Sequence, residues 1–327
     1  MSAPSPSDRF APYVAILGRG PGRSRALTRD EARAAFAMVL AGEADPHQIG
    51  AFLMLLRYRG EDADEVAGLV EAARAASGLA GVALPGALDW PSYGAGRTRK
   101  VPWFLLSALA LARAGVPVLM HGTNTFSAGM SVAAALTALG LRPAEGLRDA
   151  ERMLAAERFA YLPLRVLSPA LDRLIGLRGL FGLRSPVNTV VRLLDPARAA
   201  AGVDGVFHPA YVAVHLGAAE RLDRPRLLVL KGGGGEAERN PAKPATAHLW
   251  QRDAGVAEMM LPAWPGAGAA AAEAVDPAAV WHGAAAPPHV MATICATIAL
   301  GWLAVGRAAT PAAADAAAQD IWAARRR

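Results

Sequence analysis

The chain has 327 residues, 53% hydrophobic and 19% charged, with a formal net charge of +6. That composition excludes a disordered chain, and the length allows two lobes around a large core. No unbroken apolar run approaches the roughly 20 residues a membrane helix needs, and the opening MSAPSPSDRF has no apolar signal core, so a cytoplasmic protein with no membrane partner is expected.

Taken in order, Arg9–Leu17 reads as a short helix and Gly18–Arg25 as a basic loop. Thr28 with Glu31 forms a capping box opening a helix over Arg29–Ala41. Asp45, Pro46 and Gln48 open another, running through Tyr58 to Gly60, and Asp62 with Glu65 opens a third that ends at Ser77-Gly78. Apolar residues recur at helical spacing, so 1–80 is expected to be a helical subdomain, joined by helices from about 168–200.

From Leu88 the signal changes. Leu88–Ser92 is a strand-like lead into Tyr93–Lys100, where two glycines and the cations Arg97, Arg99 and Lys100 make either a phosphate-facing turn or a solvated basic loop. Val116–Met120, Arg158–Leu162 and Leu227–Leu230 read as buried strands, with a helix over Ser131–Leu139. Strand, loop and helix in alternation predict an α/β domain over 81–327, with a mostly parallel central sheet whose ligand loops lie at the C-terminal ends of the strands. The loops Tyr93–Lys100, His121–Gly129 and Lys231–Arg239 are expected to converge. Pro169–Gly182 reads as one helix; beyond Trp250 come two weaker strand candidates, then helices over Val290–Val305 and Pro311–Arg326.

The chemistry in this pattern is cationic. The three lysines leave 31 arginines among 34 cations, and between Tyr161 and Ala200 six arginines face two aspartates. Such a cluster points to acidic partners. The single cysteine, Cys295, excludes an internal disulfide and a cysteine zinc cluster. His121 follows a buried strand and is either a structural histidine or a ligand contact. Glu236 and Glu238 offer hard oxygen ligands for a metal ion, or are simply solvated on a glycine-rich loop.

The order of elements, with Gln48-Ile49-Gly50-Ala51-Phe52-Leu53, Arg59-Gly60-Glu61, Met120-His121-Gly122, Leu183-Arg184-Ser185-Pro186-Val187-Asn188 and Leu194-Asp195-Pro196, resembles the anthranilate phosphoribosyltransferase and nucleoside phosphorylase superfamily nearly end to end. The resemblance implies a helical subdomain on an α/β domain, and a homodimer formed through the former. Where those enzymes wrap the diphosphate with Gly-Thr-Gly-Gly-Asp, this chain has Pro91-Ser92-Tyr93-Gly94-Ala95-Gly96-Arg97, and the family's magnesium-binding Asp-Glu aligns with Ala237-Glu238. These departures, with Leu17–Gly20 and Gly235–Pro241, resemble the YbiB group of paralogues, which implies the same fold without transferase activity, binding DNA or RNA through its backbone. On that reading Arg97, Arg99, Lys100, Arg173, Arg178, Arg184, Arg192, Lys231 and Arg239 contact phosphates, while Ser92, Tyr93, Gly94, His121, Gly122 and Asn188 mark a vestigial substrate site. No cofactor is then expected. The alternative is a phosphoribosyltransferase with an aromatic or nucleobase acceptor, and only with that activity is magnesium expected as an option.

Overall fold

The computed structural model describes residues 5–79, 84, 86–94, 101–123, 125, 129–268 and 275–326. Four helices begin the chain, Pro6–Gly18, Arg29–Ala41, Pro46–Arg59 and Ala63–Ala76. Each starts where a side chain satisfies the orphan amides of its first turn: Ser5 with Asp8, Thr28 with Glu31, Asp45 with Gln48, and Asp62 with Glu65 all close capping boxes. The helices bury Phe10, Phe36 and Phe52, and the rings of Phe10 and Phe52 meet edge to face at 5.4 Å.

A seven-stranded sheet follows: β1 (Leu88–Ser92), β2 (Val118–Gly122), β3 (Phe159–Pro163), β4 (Ala201–Val206), β5 (Arg226–Lys231), β6 (Ala245–Gln251) and β7 (Gly255–Leu261). Their order is β3-β2-β1-β4-β5-β6-β7, parallel through β5 and antiparallel beyond. Period-two alternation divides the core. Leu119, Leu227 and Val229 face the four N-terminal helices and the segment 164–194, whereas Val118, Met120, Leu228 and Leu230 face Trp103–Arg113, Pro288–Ala304 and Pro311–Ala324. Among the described residues no helix is long and apolar enough to cross a membrane.

The chain leaves β1 toward β2 and β3 and returns on the other side as β4 and β5, so β1 and β4 flank the topological switch point. Here the ladder is incomplete. β1 follows β2 from Leu88↔Val118 to Ser92↔Gly122, but meets β4 only at Leu88↔Ala201 and Asp89↔Gly202. The Leu88 amide donates to the Pro117 carbonyl on the β2 side, so alternation turns the amide position of residue 91 toward β4. Residue 91 is proline and has no hydrogen to give. The two strands therefore part after Asp89, and a crevice opens between their C-terminal ends.

Several elements differ from the sequence expectation. The helix over Pro169–Gly182 breaks at Leu177 into Pro169–Gly176 and Arg178–Phe181, the latter stopped by Gly182 at φ 66°. Strand β4, Ala-Gly-Val-Asp-Gly-Val, carries two glycines and gave no strand signal. β6 begins ahead of Trp250, where no strand was expected, and the glycine- and alanine-rich stretch before Val290 contains a helix over Pro277–His282, started by Asp276.

Gly68 lets the helices Arg29–Ala41 and Ala63–Ala76 approach closely: a Cβ there would come within 3.0 Å of the Ala32 Cβ and still nearer the Arg29 carbonyl oxygen. In Gly68→Ala, a helix-propensity gain of about 1 kcal/mol opposes an overpacking penalty of about 1–3 kcal/mol. The expected result is a net loss of up to about 2 kcal/mol in urea unfolding, and a midpoint above wild type would contradict this packing.

Candidate functional site

The first residue past β1 meets the C-terminal end of β2 inside the protein. The Tyr93 hydroxyl and His121 Nδ1 are hydrogen-bonded at 2.7 Å. His121 Nε2 lies 3.1 Å from Asp89 Oδ1, close but not aligned as a hydrogen bond. Arg224 donates from Nη2 to Asp89 Oδ2 at 2.9 Å, and its Nε lies 3.7 Å from Asp195 Oδ2. All five side chains are buried. Burial pushes the Tyr93 phenol up, so it stays neutral. Burial also works against ionised Asp89, but the facing His121 and Arg224 outweigh it and hold that carboxyl below its ordinary value. For Asp195 burial prevails and the carboxyl is raised.

His121 thus has Nδ1 hydrogen-bonded to buried Tyr93 and Nε2 facing buried Asp89, the arrangement of a structural histidine. Ser92 and Gly122 are buried beside it, and a Cβ on Gly122 would collide with the Ser92 backbone. Of the six positions expected to mark a substrate site, only Asn188 is not buried.

The glycine loop after β5 turns through Gly234 at φ 68° and Gly235 at φ 84°, conformations glycine adopts readily, and delivers Glu236 into the crevice between β1 and β4. Glu236 is fully buried, and its Oε1 accepts the Gly94 amide. A Cβ on Gly94 would strike the Glu236 carboxylate, and one on Gly205 or Gly232 would strike its backbone. Three glycines therefore make room for one acidic residue. Glu238 accepts the Phe104 amide through Oε2 at 3.1 Å. Glu236 and Glu238, the pair expected around a metal ion, each accept a different backbone amide. Among the described residues no group of three or more His, Cys, Asp and Glu is arranged to hold a metal.

The cations separate into distinct roles. Arg97, Arg99 and Lys100 lie outside the described residues. Arg239, expected on the phosphate-binding surface, is 1% exposed: Nη1 lies 2.7 Å from Asp315 Oδ1 and Nη2 donates to the Pro262 carbonyl, so its charge serves the packing of the C-terminal helix. Arg192 is likewise buried, 3.3 Å from Asp204 Oδ1, while Asp204 Oδ2 meets His215 Nδ1 at 2.6 Å. Neither arginine offers an exposed edge to a polymer backbone. Arg173 and Lys231 are exposed, and Arg178 and Arg184 are half-buried.

Beside this crevice lies a cavity of about 210 Å³ whose walls include Arg57, Arg184, Asn188, Arg192, Phe207 and Tyr211. Arg184 stacks on the Phe207 ring, with 5.1 Å from guanidinium carbon to centroid, and Arg57 donates to the Tyr211 hydroxyl. Burial, followed by the repulsion of Arg178, Arg192 and Arg57, lowers the Arg184 guanidinium from its ordinary value. Arg57, Phe207 and Tyr211 escaped notice in the sequence. Arg57 reads there as an ordinary helix C-terminal cation, and Phe207 and Tyr211 follow a glycine-rich strand that carried no signal.

Asp204 is held below its ordinary value: burial pushes it up, but His215 and Arg192 prevail. A depressed carboxyl contributes stability above its unfolded value and loses it as pH falls through the folded one. Stability should therefore drop in acid below about pH 4, and Asp204→Asn should flatten that drop. Urea midpoints at about pH 6, 4 and 3 measure it, and an unchanged acid slope in the variant would count against the buried ionised pair.

Comparison with known proteins places these features in context. Residues 12–77 match the helical bundle domain of a glycosyl transferase family and residues 88–275 match its a/b domain. The chain is 30% identical over 239 residues to an anthranilate phosphoribosyltransferase of Beijerinckia indica, covering 73% of this chain and 68% of the relative. With the corresponding protein of Rhizobium meliloti the identity is 36% over 208 residues, 62% and 58% of the two chains. The crystal structure of anthranilate phosphoribosyltransferase from Thermus thermophilus superposes with a TM-score of 0.75 at 27% identity, covering 96% of this chain and 95% of that one.

Proposed function

The chain belongs to the glycosyl transferase family whose helical bundle and a/b domains match it, and from that premise we propose that it binds nucleic acid through the phosphate backbone without transferring a pentose. The observation that carries this reading is Glu236. Its carboxylate accepts the Gly94 amide in the crevice at the strand ends, a backbone N–H that could otherwise donate to a phosphate. A second negative charge at that point is repelled, and Tyr93 and His121 are locked together beside it. Arg173 and Lys231 remain exposed on the described surface, with Arg178 and Arg184 half-exposed. Cations of this kind displace condensed counterions and give salt-sensitive binding with little sequence preference. Two copies joined through the helical domain would present two such surfaces to one polymer.

A second reading, a phosphoribosyltransferase, is favoured by the relatives themselves, which are named for that activity and share 30–36% identity with this chain.

Fluorescence anisotropy on unrelated single- and double-stranded oligonucleotides, across a salt series, separates the two. Backbone binding predicts similar affinities for all sequences and a log–log salt slope of about 0.7 per single-strand phosphate or 0.9 per duplex phosphate. Arg178→Glu with Arg184→Glu should weaken every oligonucleotide alike and flatten the slope. In a parallel assay with magnesium, phosphoribosyl pyrophosphate and anthranilate, turnover of roughly 1 per second or more would establish the second reading instead.

A further inference from the structure

The cavity of about 210 Å³ walled by Arg57, Arg184 and Arg192 gathers cations in one place. Its cations come from two segments: Arg57 from the helix Pro46–Arg59, and Arg184 and Arg192 from the stretch that leads into the helix Val187–Arg192 and ends it. Two carboxylates accompany them. Asp204 is shared between Arg192 and His215. Glu61 accepts the Thr189 hydroxyl at 3.2 Å and lies close enough to Arg57 to feel its charge, yet burial still raises its carboxyl. Arg184 has no carboxylate within ion-pair distance among the described residues; its face lies on Phe207, which leaves the N–H edge of the guanidinium free to donate.

The neutral groups suit the same occupant. Asn188 lines the cavity, where its side-chain amide supplies N–H donors, though its Oδ1 is a buried acceptor without a hydrogen-bond partner. The Tyr211 phenol is pushed up to about 12, chiefly by burial, so it remains a neutral hydroxyl that accepts from Arg57 and fixes that arginine against the wall. Phe207 is 44% exposed at the rim, a flat apolar surface beside the cations.

We propose that this cavity is a binding site for a phosphomonoester, held by Arg57 and Arg184 above the Arg192–Asp204 floor. A monoester carries about −1.5 to −2 charge near neutral pH, whereas an internal phosphodiester carries a single negative charge. Guanidinium groups converging from separate segments therefore favour the end of a chain, or a small sugar phosphate, over a passing backbone. Their planar forks suit bidentate contact with phosphate oxygens. The site deepens the polyanion reading but does not depend on it, since a sugar phosphate would fill it without any polymer.

The test uses the full chain and three probes: inorganic phosphate, ribose 5-phosphate, and one oligonucleotide of about 12 nucleotides with and without a 5′-phosphate. The phosphorylated oligonucleotide should bind about tenfold tighter than its hydroxyl-ended twin, with inorganic phosphate competing. Arg184→Gln or Arg57→Gln should abolish that preference, and Arg184→Lys should retain part of it. Arg165→Gln, an exposed arginine elsewhere, should leave it unchanged. The two walls are tested separately, so failure of one variant to fold still leaves the other. If ribose 5-phosphate and inorganic phosphate raise the melting temperature and Arg184→Gln removes the shift, while neither oligonucleotide binds, the cavity proposal stands and the nucleic-acid reading falls. If oligonucleotides bind regardless of the 5′-phosphate and neither small anion stabilises the protein, the proposal is overturned and the backbone reading survives.

Discussion

The architecture turns on an ion pair that spans the switch point. Asp89 sits in β1, and Arg224 sits just before β5, on the other side of β4; the two meet at 2.9 Å with no solvent exposure of consequence. Gly202 of β4 makes this possible, because a side chain there would collide with the Arg224 guanidinium. β1 and β4 share only two register positions, so a contact reaching across β4 reinforces the seam where ordinary ladder hydrogen bonds run out. Removing one partner of such a pair strands a buried charge, at about 3–5 kcal/mol, a large share of the stability of an ordinary domain.

From that pair the polar interior branches in two directions. Asp89 holds His121, which holds Tyr93, and this fixes the two strand ends bordering the crevice. Arg224 reaches toward Asp195, in the connection that returns from the helical side to β4. A second, separate node joins Asp204, Arg192 and His215 beneath the cationic cavity. The site therefore rests on titratable groups whose charges are mutually compensated rather than on an apolar floor. Such interiors specify geometry sharply but tolerate few substitutions.

The helical lobe was legible because its signals are local. Each capping box lies within four residues of sequence, and Gly42 closes its helix with φ 75°. The parallel sheet was legible in class but not in detail: β4 hides behind two glycines whose role is to admit Glu236 and Arg224 rather than to favour a strand. The arginines were the least readable part. Arg239 pairs with Asp315, Arg192 with Asp204 and Arg224 with Asp89, and none of these partners follows from any spacing rule. In an arginine-rich chain the residue type alone does not separate a surface cation from an interior one, because the same guanidinium fork serves a carboxylate or a phosphate equally well. His121 illustrates the converse. Its place after a buried strand left a structural histidine and a ligand contact equally open, and the partners that turn it inward lie 28 and 32 positions away in sequence, at Tyr93 and Asp89.

Glu236 also changes what entering the crevice means for any anion. The carboxylate is tethered by the glycine loop directly beside the Gly94 amide, so it acts as a ligand that never diffuses away, present at an effective concentration on the order of millimolar or higher. An external anion that approached the Gly94 amide would meet this resident competitor, and its apparent affinity would fall by the factor with which Glu236 already fills the position.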